Sequence, residues 1–150
     1  MNDAIESINE GQELLAIIIY GNFRKPGIHF LTNPELSQQL AYMCHPSGKQ
    51  IEAHVHNPLP REVIYTQEVL FIRSGKLRVD FYGSSRNYLE SRILGEGDVI
   101  LLVSGGHGFE MLEETEMIEV KQGPHVGESD KTRFKGITAS DAVVRGKSGD

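Results

Sequence analysis

GKQIEAHVHNPLPREVIYTQEVLFIRSG, residues 48–75, places His54 and His56 two apart in a run that reads as a strand over Gln50–His56. Side chains two apart on a strand share a face, so both imidazoles would present a nitrogen to the same side. Imidazole pairs of this kind are metal-ligand patterns. Glu68 then opens an apolar strand, Glu68–Arg73, and the Ser74-Gly75 turn folds KLRVDFY, residues 76–82, back antiparallel. Further along, GEGDVILLVSGGHGFEM, residues 95–111, supplies another apolar strand, a glycine-rich turn and His107 at the head of the next strand. His54, His56, Glu68 and His107 together make a set of three nitrogens and one carboxylate.

Working outward, further short strands are predicted at Leu14–Tyr20, Gly27–Thr32, Gln38–Cys44, Tyr88–Leu94, Asp98–Val103, His107–Leu112 and Glu116–Gln122, separated by turns rich in glycine, serine and proline. KLRVDFY and MIEVK alternate apolar and polar residues, the pattern of half-buried antiparallel strands. The first thirteen residues are read as one short helix, and Asn33 as the cap of a turn. About ten antiparallel strands in one small domain imply an all-β sandwich or closed barrel, because either protects the sheet edges. The 150 residues are expected to form a single domain. Its core is placed at about 10–135 and a flexible tail after about 136, ending in RGKSGD.

Composition excludes several functions. Fifteen Lys and Arg against 21 Asp and Glu give a net charge of −6, which disfavours nucleic acid as a partner. One cysteine, Cys44, rules out an internal disulfide, a four-cysteine zinc site and a CxxC redox pair, and points to a reducing cytoplasm. The most apolar run, LLAIIIY at 14–20, falls far short of the roughly 20 residues of a membrane-spanning helix. The first fifteen residues carry four acidic groups and no Lys or Arg, unlike a secretory leader. No phosphate loop, dinucleotide fingerprint, nucleophile elbow or HExxH occurs.

Gly48, His54, His56, Glu68 and Gly75, followed by Gly97, Gly105 and His107, resemble the two motifs of the cupin superfamily in order. The stretch NPLPREVIYTQ lengthens the gap between His56 and Glu68 relative to the family pattern, and Val103 stands where a proline is usual. Glu62 lies nearer to His56, but Glu68 alone keeps the six-residue spacing to Gly75. The resemblance covers about residues 38–122. It implies a small antiparallel jelly-roll β-barrel with a metal inside, often assembled as a homodimer.

Such a donor set suits one divalent transition metal, Fe, Mn, Ni, Co, Cu or Zn, and leaves open positions for a small-molecule substrate. A mononuclear metal enzyme follows as the expectation, a dioxygenase or a sugar or acid isomerase. The alternative is a non-catalytic module that binds a metal or small ligand. Glu52, with the parity of the two histidines, and Tyr65 and Lys121 are the candidate catalytic residues. Glu110, His125, Arg61 and Arg73 are further polar groups that could bind substrate, whereas His29, His45 and Cys44 are read as structural.

Overall fold

A computed structural model describes residues 4–146. It is all-β, with ten strands: β1 (Ile5–Glu10), β2 (Glu13–Ile19), β3 (Gly27–Phe30), β4 (Ala41–Cys44), β5 (Glu68–Ser74), β6 (Lys76–Tyr82), β7 (Tyr88–Gly95), β8 (Val99–Leu102), β9 (Gly106–Met111) and β10 (Glu116–Lys121). Every strand ladder is antiparallel. The strands form a five-stranded sheet in the order β1-β2-β8-β5-β10, a three-stranded sheet β7-β6-β9 and a two-stranded sheet β3-β4. Among the described residues these sheets do not close, so the expected closed barrel is corrected to open antiparallel sheets. No helix of the described residues is long and apolar enough to cross a membrane.

The chain falls into two compact units. The larger holds the residues up to Phe23 and from Thr66 onward, and the smaller is Arg24–Tyr65. In the larger unit the five- and three-stranded sheets supply the buried side chains: Leu15 to Ile19 of β2, Leu70 and Ile72 of β5, Leu77, Val79 and Phe81 of β6, Leu94 of β7 and Ile100 to Leu102 of β8. Burying each large aliphatic or aromatic side chain contributes about 1.5–3 kcal/mol. The smaller unit consists of the β3-β4 hairpin and an irregular stretch after it, in which residues 46–65 are all exposed.

Two sequence expectations change here. Within the expected N-terminal helix, Ile5–Glu10 forms β1 instead, and residues 1–3 lie outside the described residues: Gly11 takes φ +58, and the Gly11-Gln12 connection turns the chain so that Ile8 pairs with Ala16 and is buried. Gln50–His56 is no strand, because no neighbouring strand pairs with it. The remaining strands lie where the pattern put them, with β4 shortened to its last four residues.

β6 departs from simple alternation, since every residue from Leu77 to Tyr82 is buried. Its second face carries Arg78 and Asp80, which pair through two bonds, Nε to Oδ1 at 2.7 Å and Nη2 to Oδ2 at 3.0 Å. Glu110 on β9 adds a further bond to Arg78 at 2.7 Å. Ser91 on β7 donates its hydroxyl to Asp80 and shares a 2.7 Å bond with the Tyr88 hydroxyl. Residues after the last strand complete this cover: Val143 N–H donates to Tyr88 Oη, Ile137 N–H donates to Tyr82 Oη, and Phe134 meets Tyr82 edge-on. Arg145 N–H donates to the Ser91 carbonyl at 2.9 Å. Residues 147–150 of the expected tail lie outside the described residues.

A second cluster joins the two sheets. Arg92 on β7 donates to Glu6 on β1 at 2.6 and 2.8 Å, and Tyr20 Oη donates to the other oxygen of the same carboxylate at 2.7 Å. Burial pushes the Glu6 carboxyl up, but the hydrogen bonds from Arg92 and Tyr20 and the charge of Arg92 together hold it below the usual glutamate value.

Replacing Asp80 by Ala leaves the Arg78 guanidinium buried with Glu110 as its remaining carboxylate. A loss of about 3 kcal/mol in urea denaturation is the expected outcome. An unchanged midpoint would show that the pair is not formed in solution. For Glu6, whose folded value is lowered, the stabilisation is present above the unfolded value near 4.5 and is lost as pH falls through the folded value. Glu6→Gln should therefore cost about 1–3 kcal/mol at neutral pH. Stability curves of the two proteins should converge below that window, and parallel curves at all pH values would contradict it.

Candidate metal centre

Glu68 opens β5, with Leu102 of β8 and Lys121 of β10 as its cross-strand neighbours. Two contacts fix the chain just before it: Thr66 donates its hydroxyl to the Asp130 carboxylate, and Gln67 N–H donates to the side-chain oxygen of Gln122. His107 is the second residue of β9 and stands opposite Phe81 on β6. The preceding glycine-rich turn sets that position. Gly105 has φ +70, and a Cβ there would lie 2.5 Å from the carbonyl oxygen of Tyr82, so only glycine lets the chain rise this close to β6 and begin β9 in register.

The two strands come from different sheets, yet they bring Glu68 Oε2 and His107 Nε2 to 3.5 Å. Glu68 is buried, and the His107 ring is partly open. Its polar contact with His107 is the main influence on Glu68 and holds the carboxyl below the usual carboxylate range. Burial opposes this, while the charges of His107, Lys121 and Lys131 add to the lowering. Lys131 was not singled out by the sequence, since it lies 63 positions beyond Glu68 in a segment without periodicity. Phe109 packs its ring 5.3 Å from that of His107.

His54 and His56 belong to the smaller unit. Their rings lie 5.3 Å apart, edge to face, although the segment is not a strand. The shared-face argument from strand parity therefore does not hold; a local bond from His54 Nδ1 to the Glu52 carbonyl oxygen, 2.8 Å, orients one ring instead. The four sequence-derived ligands thus occur as one pair in each unit. Among the described residues, no three His, Cys, Asp or Glu side chains gather into a group that could hold a metal.

The candidate catalytic residues divide likewise. Lys121 is in the larger unit, beside Glu68 across the β5-β10 ladder and 3.7 Å from Glu119. Glu52 and Tyr65 are exposed residues of the smaller unit, as is Glu62. Glu110 is taken up by Arg78, and His29 bonds the Pro26 carbonyl oxygen at 2.8 Å. Cys44 is an exposed free thiol.

Carboxylate and imidazole are donors that Fe, Mn, Ni, Co, Cu and Zn all accept, and a carboxyl kept ionised is ready to ligate without first losing a proton. By donor chemistry, Glu68 and His107 fit one side of a divalent-metal site.

Comparison with protein-family models, with curated proteins and with solved structures finds no match for this chain.

His107→Ala removes the contact that lowers Glu68 and leaves its burial in place. The Glu68 carboxyl titration, followed by carbon-detected NMR in metal-free protein, should move upward. A titration that stays where it was would show that the two side chains do not meet in solution.

Proposed function

We propose that this chain is a cupin-type protein that binds one divalent transition metal through His54, His56, Glu68 and His107 and acts with it on a small molecule. The observation that carries the reading is the Glu68–His107 pair, a buried carboxylate held 3.5 Å from an imidazole by strands of two sheets. The HxH pair, with its rings 5.3 Å apart, supplies the other two nitrogens of the donor set. A metal with open positions polarises a bound carbonyl or enediolate, or brings dioxygen to an electron-rich substrate, which are the isomerase and dioxygenase chemistries.

The protein's own residues set the charge around that chemistry. Glu68 contributes the one anionic donor. Lys121, its cross-strand neighbour, places an ammonium beside the carboxylate and suits an anionic group on the substrate, such as a carboxylate or a phosphate. Tyr65 and Glu52 remain the proton-transfer candidates. The second reading, a binding module without turnover, draws on the contact of Lys121 with Glu119, which engages the cation.

Protein purified without chelators should contain close to one equivalent of a transition metal per chain by elemental analysis. His107→Ala and His56→Ala should lose it, whereas Glu62→Ala should keep it. With metal at a hundredfold its dissociation constant, loss of binding removes about 2.7 kcal/mol of linked stability, so both histidine variants should melt earlier than wild type in metal-containing buffer. Full metal content in both histidine variants would refute the site.

A further inference from the structure

Past the last strand the chain returns over the three-stranded sheet. Residues 134–137 lie on Tyr82. The Phe134 ring meets the Tyr82 ring edge-on with centroids 5.1 Å apart, the Arg86 guanidinium sits 5.7 Å from the centre of the Phe134 ring, and Ile137 N–H donates to Tyr82 Oη at 2.9 Å. Residues 143–145 lie along β7. Val143 N–H donates to Tyr88 Oη at 2.8 Å, Ser91 N–H donates to the Val143 carbonyl at 2.9 Å and Arg145 N–H donates to the Ser91 carbonyl at 2.9 Å, so that Val144 makes a parallel bridge to Ser91. Between these two anchors the 3₁₀ turn Ala139–Asp141 is held from within, with the Thr138 hydroxyl donating to the Asp141 carboxylate at 2.8 Å.

The segment adds little to the core. None of residues 134–146 is buried, and only Phe134, Ile137 and Ala142 are half-buried. What it covers is polar: Arg78, Asp80, Ser91 and Arg92 are buried, and the Tyr82 hydroxyl is turned toward the segment. Local opening costs little where few apolar contacts are lost. Here it exchanges hydrogen bonds to two tyrosine hydroxyls and one edge residue for bonds to water. It also hydrates the charges beneath, whose removal from water is unfavourable. The 3₁₀ turn keeps its own bonds when the segment leaves, so the two anchors move together.

We infer that residues 134–146 are a strap that opens and recloses as one unit while the sheets stay folded. Closed, it seals the outer face of β6 and the edge of β7 at Ser91. Open, it presents the Arg78–Asp80–Ser91 network, the Tyr82 and Tyr88 hydroxyls and the Ser91 peptide groups on one accessible surface. The device lies wholly within the larger unit and is independent of the metal reading.

Amide hydrogen exchange on the full-length chain, followed residue by residue by NMR, tests it. Ser91, Ile137, Val143 and Arg145 report the strap, since the N–H of each is bonded across its contact with the sheet. Val103, whose N–H donates to the Leu15 carbonyl, and Ile72, whose N–H donates to the Asp98 carbonyl, report the core. The strap amides should share one protection factor, roughly a hundredfold or more below that of the core pair. Gly136→Ala is the matching variant, because a Cβ there would lie 2.6 Å from Tyr82 Oη. It should lower the strap protection factors together by about tenfold and leave Val103 and Ile72 within about twofold of wild type. Tyr88→Phe removes the acceptor of Val143 N–H alone, so an equal loss of protection at Ile137, which Tyr88 does not bond, shows the anchors opening together. A loss confined to Val143 overturns the inference. Strap amides as protected as the core in the wild type also overturn it, since the segment then leaves only on global unfolding. So do strap protection factors unrelated to one another, the mark of a fraying tail, and a Gly136→Ala chain in which the strap is unchanged or both sets move alike. If Gly136→Ala does not fold, the wild-type and Tyr88→Phe measurements decide the matter by the same outcomes.

Discussion

The buried Arg78–Asp80 pair is the interaction on which the larger unit depends. Both residues point to the second face of β6, and without a satisfied partner either charge would cost several kcal/mol to bury, on the order of the whole stability of a domain this size. Asp80 takes two bonds from Arg78 and one from Ser91, while Arg78 reaches Glu110 as well. These contacts tie β6 to β7 on one side and to β9 on the other. They let the C-terminal residues lie over the strand through Tyr82 and Tyr88. With β6 held on both sides, the position of β9 is fixed, and so is His107 opposite Phe81. The polar network therefore reaches the candidate metal centre through strand register.

Glu68 gains its position by a different route, through the ladders that β5 shares with β8 and β10. Its contact with His107 crosses between the two sheets, as Glu6–Arg92 does between β1 and β7. These two crossings differ in kind. Arg92 is a permanent cation, and its bonds with Glu6 form a closed structural set. His107 carries charge only when protonated, and its ring remains partly open. Glu68 is held below the usual carboxylate range beside a ring that is partly open, whereas the Glu6 carboxylate is enclosed by Arg92 and Tyr20.

Much of the fold was legible because apolar alternation and glycine turns are local signals. GEGDVILLVSGGHGFEM announced β8, the turn and β9, and the glycine that lets His107 approach β6 stands at the expected place. β1 was misread because its two isoleucines, Ile5 and Ile8, stand three apart, a helical spacing, and only the glycine two positions before β2 marks the hairpin turn. The double burial of β6 was not legible. KLRVDFY looks half-polar, and nothing in it announces that residues some sixty positions later cover the polar face. Closure of a barrel is likewise a non-local property, and strand patterns do not encode which edges meet.

His54 and His56 show why spacing alone carries limited information about a site. HxH implies a common face only when the backbone is paired as a strand, and residues 50–56 have no partner strand to impose that geometry. Their rings nevertheless come within 5.3 Å, so the pair has a local origin independent of any sheet. Such a pair pays conformational entropy to align with other donors unless something outside it holds the segment still. Metal binding would offset that cost, because the free energy of ligation adds to whatever orders the ligand-bearing segment. Ligation by His54 and His56 would therefore have to be accompanied by ordering of residues 46–65, all of which are exposed.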